Sequence, residues 1–263
     1  MDIQEMSKRP SEEGHWYNMD DGSPCYTVKS AKGLDRPTTL RDAKKMGNIA
    51  PSVTTVIKES YKPGLEMYKI NQAILAALTL PKNKEESEDD WIVRVKQDAK
   101  AHAIQRAENG TKIHSAIQSG FEGEQIEGYA EYYEVAKKEI EKEIGHQDWI
   151  CEKSFASIKY GYGGKIDLLN DKFLIDIKTK EGGIDDVKLW DEHFMQLAGY
   201  GVGVESKGKY IFGVLFASEN KTVKLLWVTD SQMRRGWTMF YSLLNYWYAK
   251  TGLIIGGQKD ENR

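Results

Sequence analysis

Near residue 147 the apolar residues of this chain change their period from 3.6 to 2. Before that point, residues fit for a core recur at steps of three and four. "LEMYKINQAILAALTL" puts Met67, Ile70, Ile74 and Leu78 on one helical face, and Pro81 ends the helix. Ser87, with Asp90 three residues on, is a carboxylate variant of the capping box and opens a long helix over about 88–119. Its stripe runs Ile92, Val95, Ala99, Ala103, Ala107, Gly110, His114 and Ile117, and the small residues of its second half predict close approach to a sheet. Gly110 costs helix propensity, so its place in that stripe implies a packing reason. "GEQIEGYAEYYEVAKKEIEKEIG" is a further amphipathic helix.

Beyond residue 147, strands are expected at about 148–158, 162–169 and 172–179, then a helix over about 185–204. Strands near 209–217 and 222–228 and a helix near 230–250 complete the pattern. At the other end, the first fifteen residues are polar and expected to be loose. "HWYNMDDGSPCYTV" reads as a hairpin about its Asp-Asp-Gly-Ser turn. "PSVTTVIKES" reads as a helix start with Ser52 as N-cap. The order predicts an α/β protein, a central mixed sheet flanked by helices, with N-terminal helical additions. A single domain over 1–263 is expected: an arm and hairpin at 1–48, a helical part at 49–145, an α/β core at 146–250 and a tail at 251–263.

Composition narrows the function. With 40% hydrophobic and 29% charged residues, the chain is a folded protein. Fourteen Tyr and seven Trp exceed what a core needs, and the surplus suits base stacking or an interface. The net charge of −3 means that a nucleic acid would have to be held in a local groove. Two distant cysteines, Cys25 and Cys151, exclude a disulfide framework, a four-cysteine zinc site and a four-cysteine iron–sulfur cluster. No signal-like or membrane-length apolar run is seen, which leads to the expectation of a soluble cytoplasmic protein in a bacterium or a phage-infected host cell.

The chemistry gathers in "GGKIDLLNDKFLIDIKTK". A two-residue turn at Asn170-Asp171 would set Asp167 opposite Leu174, with Asp176 one diagonal step away on the same face. Lys178 shares that face. A three-residue turn would reverse the parity. Two carboxylates at that spacing suit a hard divalent ion, Mg²⁺ or Mn²⁺, and a neighbouring lysine suits charge building on a phosphate. The pattern Asp-x-Lys by itself is most often a solvated strand face.

Its company gives it meaning. "PSVTTVIK" (51–58), "GTKIHSAI" (110–117), "EKSF" (152–155), "GYGGKIDLL" (161–169), "LIDIKTK" (174–180) and "QLAGY" (196–200) occur in that order. Together they resemble the PD-(D/E)XK nuclease superfamily, and within it the RecB-like exonuclease branch that includes phage RecE-type enzymes and a mitochondrial genome-maintenance exonuclease. The resemblance implies a restriction-endonuclease-like core and a Mg²⁺- or Mn²⁺-dependent deoxyribonuclease. It makes His114, Asp167, Asp176 and the main chain of Ile177 the metal-binding set, and Lys178 the catalytic lysine. It makes Gln196 and Tyr200 a pair beside the active site, and Glu152 an acidic position on the first strand whose role varies. Lys112, Lys165 and Lys180 are candidates to grip flanking phosphates.

The expected function is exonucleolytic processing of DNA ends, single- or double-stranded, for phage-type recombination or repair. A single-strand annealing protein and further copies of the chain are possible partners. A structure- or site-specific endonuclease and an inactive nucleic-acid-binding module are the alternatives. His102 and His193 are expected at the surface and Trp190 in the core or along a DNA groove; Asp185, Asp186 and Asp191 are expected at a helix N-terminus.

Overall fold

The structure is a computed structural model that describes residues 15–124, 126–204 and 210–255. Its centre is a five-stranded sheet whose strands lie side by side in chain order. The strands are β5 Ile150–Ser157, β6 Tyr162–Leu169, β7 Phe173–Lys180, β8 Ile211–Ser218 and β9 Val223–Val228. Only β7 and β8 run parallel; the other neighbours are antiparallel, so the sheet is mixed. The crossover between β7 and β8 contains a helix, as a parallel pair requires.

Each face of the sheet is buried by helices. Leu174, Val214 and Phe216 pack with Phe194 and Leu197 of α6 (Asp191–Gly203) and Phe240 and Leu244 of α7 (Asp230–Thr251). Ile175, Ile177 and Leu215 instead meet Ile113 and Ile117 of α4 (Glu88–Phe121) and Tyr132 and Ile140 of α5 (Ala130–Ile144). The period-2 alternation of β7 thus divides its residues between two cores. Of the small residues in the second half of α4, Gly110 lets it approach the sheet, since a Cβ there would lie 2.6 Å from Thr179 Oγ1, whereas Ala107 is exposed. Ser87 caps α4 by accepting from the Asp90 amide at 3.1 Å.

Towards the N-terminus the hairpin expectation needs correction. β1 (Trp16–Asn18) pairs along its length with β4 (Ile49–Pro51), and the segment after the turn joins it only briefly, Asn18 N–H donating to the Ser23 carbonyl and Cys25 N–H to the Trp16 carbonyl. The turn does form, and Tyr17 bridges to Pro24. Pro24 cannot donate to a ladder, and the chain leaves to make a second hairpin, β2 (Thr27–Lys29) with β3 (Asp35–Pro37). Two short helices follow, α1 (Leu40–Met46) and α2 (Val53–Ile57), the latter capped by Ser52 as its sequence predicts. The next helix, α3 (Pro63–Thr79), packs on α4, but its Met67, Ile70, Ile74 and Leu78 stripe is exposed, contrary to a core role. Among the described residues no helix is long and apolar enough to cross a membrane.

Further corrections cluster before α6. The helix begins at Asp191 rather than 185, because Trp190 is extended (φ −113°) and serves as its N-cap. Asp185 and Asp186 therefore precede the helix, while Asp191 lies in its first turn. Trp190 is 64% exposed and so is no core residue. His193 is buried, its Nδ1 accepting from the Trp190 amide at 2.9 Å, which explains why it is not at the surface. The expectations for residues 1–14, the tail beyond 255 and the His102 side chain lie outside the described residues.

Two outcomes test this packing. Gly236 of α7 lets α6 pass so closely that an added Cβ would sit 2.3 Å from the Phe194 carbonyl oxygen. Gly236→Ala should therefore lower stability by about 1–3 kcal/mol in urea unfolding, the usual cost of overpacking; an unchanged midpoint would show that the helices can part there. Burial first, then Lys178, lowers the His193 pKa from 6.5 to about 4. The unfolded state then binds a proton that the native state refuses, so this histidine's contribution is lost as pH falls from 6.5 towards 4. The stability difference between the wild type and His193→Asn should shrink across that window, and a pH-independent difference would contradict it.

Candidate active site

β6 and β7 pair only at Leu168↔Ile175 and Leu169↔Leu174. The turn between them is Asp171-Lys172, with Asn170 N–H donating to the Phe173 carbonyl at 3.0 Å. Asn170 Oδ1 fixes this turn by accepting from the Lys172 and Phe173 amides at 2.9 and 2.8 Å. The turn is displaced by one residue from the expected Asn170-Asp171. That shifts the register by two and keeps the parity, so extrapolating the ladder would set Asp167 opposite Asp176 rather than Leu174. The ladder stops short of that pair. β6 continues along β5 and β7 along β8, leaving a wedge between them.

Asp167 and Asp176 both line that wedge and are both buried. Where a strand partner would have accepted the Ile177 amide, Asp167 Oδ2 does so instead, at 2.6 Å. The same oxygen is 3.2 Å from His114 Nε2 on α4. Asp176 Oδ1 accepts from Gln196 Nε2 at 2.8 Å, and that amide also donates to the Tyr200 hydroxyl at 2.9 Å. Gln196 and Tyr200 lie one turn apart on α6, which is what their i, i+4 spacing dictates. Lys178 Nζ stands 2.7 Å from Asp176 Oδ2.

The opposite edge of β6 is irregular too. Cys151↔Leu168 and Lys153↔Ile166 pair, but the Glu152 position between them does not. Glu152 has φ 52°, a left-handed conformation that costs a non-glycine residue energy. Across this break Ile166 enters one core and Leu168 the other, although two residues apart on a regular strand they would share a face. Asp167 sits at that break. The Glu152 side chain forms an ion pair with Lys165 at the cleft wall.

Electrostatics set the two carboxylates apart. Burial opposes ionisation of Asp167, but His114, Lys178 and the Ile177 amide outweigh it and hold its pKa below the usual carboxylate range. For Asp176 burial prevails over Lys178, and the charge of Asp167 adds to it, so its pKa is raised. Burial works against a charged His114, yet Asp167 carries its pKa upward. A carboxylate that resists ionising beside another that is ionised marks a place short of positive charge.

The donors fit a hard divalent ion. Asp176 Oδ2 is buried and meets the Lys178 ammonium at 2.7 Å. Mg²⁺ is typically held by one or two carboxylates, its other positions going to water and substrate oxygens. Among the described residues no three His, Cys, Asp or Glu side chains are already drawn up as a ligand set. His114 is at hand but engaged with Asp167. The Ile177 side chain is buried in the α4–α5 core while its main chain lines the cleft.

The cleft has a volume of about 640 Å³. Besides Lys165 and Lys180 its walls hold Lys58, Lys62, Tyr68 and Arg106, none of which sequence reasoning singled out; Lys112 is not part of the wall. Arg106 was findable, because it stands one turn before Gly110 and two before His114 on one face of α4. Lys58 ends the "PSVTTVIK" segment, four residues after the cleft residue Thr54. Tyr68 and Lys62 left no comparable signal. Arg106 hydrogen-bonds the Tyr68 hydroxyl and reaches Glu181 at 3.1 Å, while Lys62 meets Glu192 at 2.5 Å. The first ion pair joins α4 to the segment after β7, the second the start of α3 to α6.

No family model matches the chain, and no curated protein matches it. Solved structures that resemble it include a provisionally named exonuclease from Eubacterium rectale, at 14% identity over 78% of this chain and 94% of that one, with a TM-score of 0.42. SSO0001 is 16% identical over 70% of this chain and 87% of its own, with a TM-score of 0.32. LHK-Exo, solved in complex with dAMP, is 14% identical over 71% of this chain and 94% of its own, with a TM-score of 0.30. The functional reading therefore rests on the cleft.

If Asp167 and Asp176 share a cation, Mn²⁺ should bind the wild type in calorimetry and raise its melting temperature by mass action. Asp167→Asn and Asp176→Asn should each weaken that binding at least tenfold. Equal Mn²⁺ affinity in the variants would place the ion elsewhere.

Proposed function

We propose that the protein is a metal-dependent deoxyribonuclease of the PD-(D/E)XK kind that removes nucleotides from DNA ends. The observation that carries this reading is the convergence of two buried carboxylates from parting strands with a lysine two residues beyond the second. Asp167, Asp176 and the Ile177 carbonyl would hold Mg²⁺ or Mn²⁺, with His114 as a further candidate ligand. When bound, such an ion supplies Lewis acidity to a phosphoryl oxygen and lowers the pKa of a water.

The side chains then divide the remaining work. Lys178 orients the attacking water and offsets charge developing on the phosphate. Gln196, held by Tyr200, keeps Asp176 turned towards the cleft. Lys58, Lys165 and Lys180 face flanking phosphates. The cleft walls carry six Lys or Arg and six Asp or Glu side chains, so without a divalent ion they present no excess positive charge to a polyanion. The ion therefore supports substrate binding as well as chemistry.

A volume of about 640 Å³ is in the range of pockets that enclose a small molecule, so the cleft takes a short stretch of one strand. Phage-type recombination or repair is the context that the sequence resemblance suggests.

With end-labelled linear DNA and Mg²⁺ or Mn²⁺, the wild type should release nucleotides, and EDTA should stop it. Lys178→Ala should lower kcat on the order of a hundredfold or more, the scale seen when a transition-state contact is lost. Wild-type turnover by Lys178→Ala would refute the lysine's role, and rapid cutting of covalently closed circles would make the protein an endonuclease.

A further inference from the structure

A DNA strand presents two kinds of surface to a protein, charged phosphates and apolar base faces, and the cleft answers them unequally. Its walls hold six basic and six acidic side chains, yet among the described residues that line it Tyr68 is the one Phe, Tyr or Trp. Tyr68 belongs to α3 and is half-buried, and its hydroxyl accepts a hydrogen bond from Arg106 of α4. The Arg106 guanidinium also lies over the Tyr68 ring, 5.9 Å from its centroid. Its Nη2 meets Glu181 at 3.1 Å, and both partners of that pair are substantially exposed, where an ion pair is weak.

The position of the pair relates it to the carboxylates. Arg106 stands two turns before His114 on one face of α4, which is about 12 Å along the helix axis. His114 in turn meets Asp167 at 3.2 Å. A separation of about 12 Å is roughly three nucleotides of a strand whose rise is about 3.4 Å each. A strand with its reacting phosphate at Asp167 and Asp176 would therefore bring a nearby nucleotide to Tyr68 and Arg106. Both groups match what arrives there. A phosphate accepts the guanidinium fork that Glu181 now occupies. A phenol ring takes a base face, whatever the sequence, because every base has one. In a duplex those faces are covered by the neighbouring pairs, so the contact is open to a single strand.

We infer that Tyr68 and Arg106 form a nucleotide subsite that selects single-stranded DNA. Tyr68 stacks on a base of the strand, and Arg106 exchanges Glu181 for one of its phosphates. The inference rests on the reading of the cleft as the place where DNA is cut, and it adds the class of substrate to that reading. Both side chains hold the strand and take no part in breaking its bonds.

Fluorescence anisotropy with three labelled probes of equal length tests this: an oligothymidylate, an abasic strand and a blunt duplex. Ca²⁺, which also takes oxygen ligands, replaces Mg²⁺ in the binding assay. The wild type should bind the oligothymidylate about tenfold more tightly than either other probe, the scale of one stacked base. Tyr68→Ala should lose that preference while keeping wild-type affinity for the abasic strand, and Tyr68→Trp should retain it. Arg106→Gln should weaken the oligothymidylate and the abasic strand alike, since it removes a phosphate contact and leaves the ring. A tyrosine that only supports the wall would, once removed, weaken all three probes together, and that result overturns the inference. So does a wild type that binds the duplex or the abasic strand as well as the oligothymidylate, or binds none of them. Release of nucleotides with Mg²⁺ or Mn²⁺ is measured separately. Its absence beside an intact base preference would sink the nuclease reading and leave the strand on Tyr68.

Discussion

Everything distinctive about this molecule depends on where β6 and β7 stop pairing. Two residue pairs beyond their turn, Asp167 takes the amide of Ile177 that a strand neighbour would otherwise have taken. That one hydrogen bond does three things. It satisfies a buried donor whose loss from the ladder would be costly. It wedges two strands apart while each stays paired on its outer edge, and it lodges a carboxylate at the root of the gap. The cleft is therefore no loop added to a finished fold. It is a fault built into the sheet, bordered on its far side by the left-handed Glu152.

Local strain and unsatisfied charge persist only where the surroundings enforce them. Here the enforcement is legible in the two cores. Ile175 and Ile177 anchor β7 to α4 and α5, while Leu174 anchors it to α6 and α7. Between these anchors Asp176 is held buried beside Asp167, and α6 reaches it through Gln196. The pKa values diverge for the same reason: Asp167 has His114 and a main-chain amide, whereas Asp176 has burial and a like charge against it.

Much of this could be read from the residues in advance. The alternation of "FLIDIKTK" and the two-residue turn carry the parity that brings Asp167, Asp176 and Lys178 to one cleft, and the turn's one-residue displacement left that parity intact. The i, i+4 spacing of Gln196 and Tyr200 and the close approach to the sheet at Gly110, four residues before His114, are likewise kept in the fold. What could not be read depends on contacts between elements distant in sequence. The parting of the strands is decided by a side chain competing for an amide, which no periodicity reports. Trp190 and His193 exchanged their expected places because a capping bond, not hydropathy, orients the start of α6. The apolar stripe of α3 gave the right helix, but its face is exposed, because periodicity reports a helix and not which of its faces packs.

The central claim is that the parted strands form a site in which two carboxylates share one hard cation. The most direct measurement is anomalous diffraction from crystals of the wild-type protein grown with Mn²⁺. The account predicts an anomalous peak between the carboxylates of Asp167 and Asp176, within coordination distance of both. A cleft without such a peak while Mn²⁺ is bound elsewhere, or strands that close and pair through Asp167 and Asp176, would contradict it.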